Sequence, residues 1–136
     1  MQLQSFLGEW RLERTIEDAR SGTGGTFSGR ARFTPAPQGL RYREEGSLRL
    51  GAAPPLAAAR DYCWREDGDG ICVHFADGRF FHRLRPGDAA PADEHDCPPD
   101  LYRVRYDFTA WPVWRAEWIV SGPRKDYRLE SRYCPG

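Results

Sequence analysis

Two groups of side chains in this sequence have the types and spacing to do chemistry. In the first, His95-x-Cys97-Pro98-Pro99-Asp100 brings an imidazole, a thiol and a carboxylate within six residues. Such a set can activate a sulfur nucleophile or, with a further donor, hold a metal ion. His95-x-Cys97 is not a zinc spacing and no second pair follows, so no metal site is predicted. His95, Cys97 and Asp100 therefore stand as candidate catalytic residues, with Lys125 as a fourth member. The structural alternative is that Pro98-Pro99 stiffens a long loop, Asp100 caps it and Cys97 packs beneath.

The second group is Arg14, Glu44, His82 and Lys125, four ionisable residues that fall on apolar faces. Burying them costs free energy unless they find partners. They read either as an internal salt bridge with a satisfied histidine, or as polar groups that orient a ligand among the rings of Trp64, Trp114, Trp118 and Tyr127. No serine elbow and no HExxH sequence appears. Ser21-Gly22-Thr23-Gly24-Gly25 has the composition of a phosphate loop, but no helix follows it; it reads as a flexible loop at one end of the fold.

The elements that carry these residues are strands. Proline and glycine recur about every ten residues, and the runs between them are short and rich in Trp, Tyr, Phe and Val. About nine strands are predicted: 9–17, 26–34, 40–50, 59–66, 71–76, 79–85, 101–108, 113–121 and 124–133, after a helical turn at 3–7. The Asp-Gly turns at 67–70 and 77–78 set Trp64 opposite Val73, Tyr62 opposite Phe75, Phe75 opposite Phe80, Val73 opposite His82 and Ile71 opposite Leu84. Three strands then share one apolar face, an agreement that a one-residue slip would destroy. A Gly122-Pro123 turn pairs Val120 with Lys125 and Trp118 with Tyr127. The second and third strands pair Phe33 with Tyr42, Ala31 with Glu44, and Gly29 with Gly46, where facing glycines mark a sharp bend or open space.

The opposite faces carry mostly Arg and Glu. One wet face and one apolar face on every strand imply a single all-β domain over 1–136, an up-and-down antiparallel barrel curled round its own core. Counting nine alternating strands places the connections at 35–39, 67–70, 86–100 and 122–123 at one end, with His95, Cys97 and Asp100 near Lys125. Cys63 and His74 face outward with Phe81 beside them, a small apolar patch that suits a homodimer contact.

Charge is balanced, with 20 Lys plus Arg against 20 Asp plus Glu, which argues against a nucleic-acid partner. No apolar run is long enough to span a bilayer, and the first residues are not a signal peptide. The four cysteines lack a CxxC spacing and read as free thiols of a cytoplasmic protein.

Phe6-Leu7-Gly8-Glu9-Trp10 resembles the Gly-x-Trp opening of the lipocalin and fatty-acid-binding (calycin) superfamily. That resemblance implies a Trp plugging one barrel end, with Arg132 or Arg128 packed over it. More closely, the chain resembles an uncharacterised bacterial domain family of unknown function. The likeness rests on FLGEWRLERTIED, HFADGRFFHRL, His95-x-Cys97-Pro98-Pro99-Asp100-Leu101-Tyr102 and Gly122-Pro123-x-Lys125-Asp126-Tyr127. It implies a calycin-like fold and no chemistry. Haem-binding nitrobindin-like barrels open with Gly-x-Trp-x-Gly-x-Gly; here Leu12 and Arg14 replace the last two glycines, so haem is not expected. The expected function is binding of a small, partly apolar, anionic molecule. The alternatives are an enzyme using the His95, Cys97, Asp100 and Lys125 cluster, or a dimeric module with a filled core.

Overall fold

The computed structural model describes residues 1–88 and 91–136. A 3-10 turn, Leu3–Phe6, precedes ten strands: β1 Gly8–Asp18, β2 Thr23–Ala36, β3 Gly39–Leu50, β4 Leu56–Asp67, β5 Gly70–Phe75, β6 Phe80–Leu84, β7 Ala92–Cys97, β8 Asp100–Asp107, β9 Trp114–Ser121 and β10 Asp126–Pro135. All neighbours pair antiparallel, in the order β6-β5-β4-β3-β2-β1-β10-β9-β8-β7. The sheet curls until its edges β6 and β7 meet. Across that seam the Arg83 N–H donates to the Asp93 carboxylate (2.6 Å), and the Phe81 and His95 rings lie 5.3 Å apart. The result is a nearly closed up-and-down barrel.

The β2–β3 register and the pairs Trp64–Val73, Tyr62–Phe75, Val73–His82 and Ile71–Leu84 are those the turn chemistry predicts. The facing glycines are explained by close approach rather than open space. A Cβ on Gly29 would lie 2.7 Å from the Gly46 Cα, and one on Gly46 would lie 2.8 Å from the Phe27 ring.

Four expectations need correction. First, residues 92–97 form β7 instead of part of a long loop. The run Ala-Asp-Glu-His-Asp-Cys lacks the β-branched residues that mark strands, and it is an edge that pairs only with β8. One more strand reverses the alternation, so the turns at 98–99 and 122–125 share an end with those at 19–22, 51–55 and 76–79.

Second, a β-bulge between Val73 and His74 sets His74 opposite Phe80. The extra residue rotates the strand locally. Phe81 therefore turns into the core and Phe80, 48% exposed, turns out; Phe81 is not part of an outer patch. Third, the β9–β10 turn spans four residues, 122–125. Val120 faces Tyr127, Trp118 faces Leu129, and Lys125 lies in the turn. The shift is two residues, so the inward face is preserved. Fourth, Arg128 and Arg132 are on the outer face, with Arg128 bonded to Glu117 and Glu130. Neither covers Trp10.

What closes the end near Trp10 is an aromatic cluster. Phe6 rests 5.2 Å from the Trp64 and Trp111 rings and 5.3 Å from Trp114, and the Trp10 indole N–H donates to the Phe6 carbonyl at 2.8 Å. Edge-to-face geometry at these distances adds to area burial. Phe6→Ala should lower unfolding stability by about 3–5 kcal/mol, the range for a fully buried aromatic, whereas Phe80→Ala should change it by less than about 1 kcal/mol. Equal urea midpoints for the two variants would contradict this assignment of the closed end.

Candidate functional site

At mid-height an ion pair spans β2 on the inner wall of the barrel, with the Arg14 guanidinium over the Phe27 ring. Arg14, from β1, donates from Nη1 and Nη2 to the two Glu44 oxygens at 2.7 and 3.0 Å, and from Nε to Ser131 Oγ at 2.7 Å. Strand parity explains the meeting: Arg14 shares a face with Trp10 and Leu12, while Glu44 shares one with Tyr42 and Leu40. The Tyr42 hydroxyl also donates to Glu44 Oε1 (2.7 Å) and contacts the Tyr133 hydroxyl at 2.8 Å. Burial alone would raise the Glu44 pKa, but the Arg14 bonds and charge outweigh it and hold the carboxyl below its usual range. The same burial pushes Tyr133 up to about 12. Arg14 stays charged and fully engaged.

One cavity, of about 80 Å³, runs from Trp64, Trp114, His82 and Tyr106 past Phe81 and Trp118 to Tyr102, Val120 and Tyr127 near the rim. Beside it is a wider chamber of about 430 Å³, with walls of Ile16, Phe27, Leu48, Leu50 and Ala58. Arg14, Glu44, Arg60, Tyr127 and Leu129 line both, so they form the boundary the two share.

His82 is 2% exposed. Its Nε2 lies 2.8 Å from the Tyr106 hydroxyl, and its Nδ1 has no partner among the described residues. Burial, with a smaller effect from His95, drives its pKa down to about 3. It is therefore a neutral hydrogen-bonding group and a poor proton acceptor at neutral pH.

The structure brings Lys125 and Asp100 together at the rim, Nζ to Oδ2 at 3.0 Å, with the Tyr102 hydroxyl 3.2 Å from Nζ. Lys125 is not sunk in the lumen; its side chain is 41% exposed. The Asp100 and Tyr102 bonds raise its pKa. His95 lies on β7 against the rings of Phe75, Phe81 and Tyr102. Cys97 is exposed instead of packed beneath a loop. Among the described residues no hydrogen bond joins His95, Cys97 and Asp100, and no three His, Cys, Asp or Glu side chains gather in a form that would hold a metal ion. Cys63 and His74 are cross-strand partners.

Arg60 is the site residue that sequence reasoning missed. It lies opposite Glu44 and two residues from Tyr62, so parity alone puts it on the inward face. The signal was available, but the Ala/Pro-rich connection at 51–58 gave no register for β3 and β4.

Fold and lumen together define a small up-and-down antiparallel barrel with polar residues where two cavities meet. The chain belongs to DUF6314, a family of unknown function whose model matches residues 6–135. No curated protein matches the chain by sequence. Among solved structures, an S-type phycobiliprotein lyase from Guillardia theta superposes with a TM-score of 0.63 at 10% identity, over 96% of this chain and 87% of that one. A protein of unknown function from the DUF3598 family of Nostoc punctiforme superposes with a TM-score of 0.57 at 12% identity, over 98% of this chain and 48% of that one. No helix among the described residues is long and apolar enough to cross a membrane.

Acid should unfold this barrel through His82. Unfolded, the imidazole takes a proton near pH 6.5; folded, it stays neutral down to about pH 3. Between those values the unfolded state binds more protons, so stability rises with pH and is lost as pH falls. Glu44 acts with the same sign at lower pH, because its folded pKa is depressed. The expected loss between pH 7 and 4 is on the order of a few kcal/mol. His82→Gln, which keeps a hydrogen bond for Tyr106 and does not titrate, should flatten that slope in urea midpoints. An unchanged slope would show that His82 is not buried in its neutral form.

Proposed function

We propose that this barrel binds a small, partly apolar, anionic molecule in its lumen, admitted at the end formed by the turns at 19–22, 51–55, 98–99 and 122–125. The observation that carries this reading is the pair of cavities that share Arg14, Glu44, Arg60, Tyr127 and Leu129. A filled core, as a purely structural module would have, leaves no such space. The wider chamber falls in the size range of small-ligand sites, and its apolar walls with a few polar groups have the usual composition of one. The phycobiliprotein lyase likeness, at 10% identity, supports the scaffold and says nothing of the ligand.

Charge where the two cavities meet favours an anion. Arg14 is neutralised by Glu44 and Lys125 by Asp100, which leaves Arg60 without an ion-pair partner among the described residues. The enzyme alternative draws less support, because the rim residues His95, Cys97 and Asp100 share no hydrogen bond and His82 is too weak a base. Free thiols and a cytoplasmic setting remain part of the same proposal.

Native mass spectrometry of freshly purified protein should show an adduct that denaturation releases. Absence of an adduct, together with no enhancement of anilinonaphthalene sulfonate fluorescence, would sink the binding reading. Lys125, a charge on the rim, should act on capture. Lys125→Met should slow ligand association and weaken its salt dependence while leaving dissociation nearly unchanged. Stopped-flow rates at two ionic strengths check this, and a change confined to dissociation would contradict it.

A further inference from the structure

The smaller cavity has more hydrogen-bond donors in its wall than the described residues match. His82, 2% exposed and neutral, and Tyr106 carry two polar hydrogens between them, one N–H and one O–H, and share one bond. If the tyrosine donates to Nε2, then Nδ1–H is spare. If Nε2–H donates to the tyrosine, the hydroxyl hydrogen is spare. Either tautomer leaves one donor over among the described residues. Trp114, 1% exposed, adds another: its indole nitrogen can only donate and has no partner among the described residues. His82, Tyr106 and Trp114 line the one cavity of about 80 Å³. Buried donors in native proteins are normally matched by protein, water or ligand.

These donors and their surroundings set the chemistry of an occupant. It must present an acceptor, because an alkyl group at this place would leave both hydrogens unmatched. The acceptor is neutral, because no free cation stands beside the donors. The β4–β5–β6 register sets His82 level with Trp64, four residues along β4 from Arg60, roughly 13 Å by strand rise. Arg14 is spent on Glu44. A carboxylate here would be a buried charge facing only neutral donors, at a high desolvation cost; a carbonyl oxygen would not. The wall around the donors consists of rings, Trp64, Trp118, Phe81 and Tyr106, where the wider chamber has Ile16, Leu48 and Leu50. Ring faces and edges suit an aromatic body. An apolar cavity of roughly 150 Å³ holds a benzene. The space of about 80 Å³ therefore takes a carbonyl end and part of a ring, and the rest extends along the same cavity toward Tyr102 and Tyr127 near the rim.

We infer that the smaller cavity recognises the neutral carbonyl oxygen of an aromatic ketone, aldehyde or amide, which accepts from the spare hydrogen of His82–Tyr106 and from the Trp114 indole N–H, with the ring against Phe81 and Trp118. This rests on the binding reading above and adds the ligand's class; the negative charge belongs to a separate group of the same molecule.

The test uses the full chain and four probes: acetophenone, its hydrocarbon isostere α-methylstyrene, cyclohexyl methyl ketone and benzoate. Calorimetry should show acetophenone binding about tenfold or more tightly than α-methylstyrene and benzoate, and about threefold or more tightly than the cyclohexyl ketone. Trp114→Phe should weaken acetophenone about fivefold or more and leave α-methylstyrene within about twofold. A second readout needs no variant. In nitrogen-15 labelled protein, acetophenone should move the Trp114 indole N–H proton downfield, and α-methylstyrene should not. Either α-methylstyrene or benzoate binding as tightly as acetophenone overturns the carbonyl class, and a cyclohexyl ketone that matches acetophenone overturns the aromatic body. A Trp114 N–H resonance that stays in place while acetophenone is bound shows that water is its partner and overturns the inference as well. Failure of all four probes also overturns it; the binding reading falls with it only if the native adduct and the dye enhancement are absent too.

Discussion

The Arg14–Glu44 pair is the constraint around which this lumen is arranged. Two charges removed from water carry a desolvation cost that Coulomb attraction offsets only when the geometry is good and the remaining lone pairs are satisfied. Here three donors of the guanidinium and both carboxylate oxygens are bonded, with Ser131, Tyr42 and Tyr133 completing the network. A satisfied network fixes relative positions: it ties β1 to β3 and β10 along one wall, and it forms part of the boundary between the two cavities. It also removes Arg14 as a free cation. That places the unneutralised charge on Arg60.

The two ends of the barrel follow from what lies on either side of that pair. Toward the N-terminal turn the strands contribute rings, and Phe6, Trp10, Phe33, Trp64, Trp111 and Trp114 interlock until no room is left; Trp114 stacks on Tyr133 at 3.7 Å. Toward the other end β1, β3, β4 and β10 contribute Ile16, Leu48, Ala58 and Leu129 to the wider chamber, while Trp118, Tyr102 and Tyr127 line the smaller cavity. The seam between β6 and β7 is the weakest part of the wall, held by Arg83 and Asp93 and by aromatic contact instead of a backbone ladder.

Much of this was legible because period-two alternation is unforgiving. With one face wet, Phe33–Tyr42 and Trp64–Val73 have only one acceptable register. The misreadings have specific causes. The β9–β10 turn has four residues, and a two-residue slip is invisible to alternation because it returns every side chain to its face. The bulge at Val73–His74 inserts a residue that no pattern announces, since Phe80 and Phe81 are equally apolar. Strand β7 is an edge whose Asp, Glu and His side chains resemble a loop.

From the sequence by itself came the fold class, the inward placing of Arg14, Glu44 and His82, and the pairing of strands whose turns carry Asp-Gly signals, because local turn chemistry and alternation determine these. Tertiary structure alone decided that Arg14 is spent on Glu44, that one His82 nitrogen has no partner among the described residues, that Lys125 stays at the rim with Asp100, and which end is open. The physical reason is distance in the chain. Each of those outcomes depends on partners from strands far apart in sequence, and on whether side chains meeting across the barrel fill the space between them.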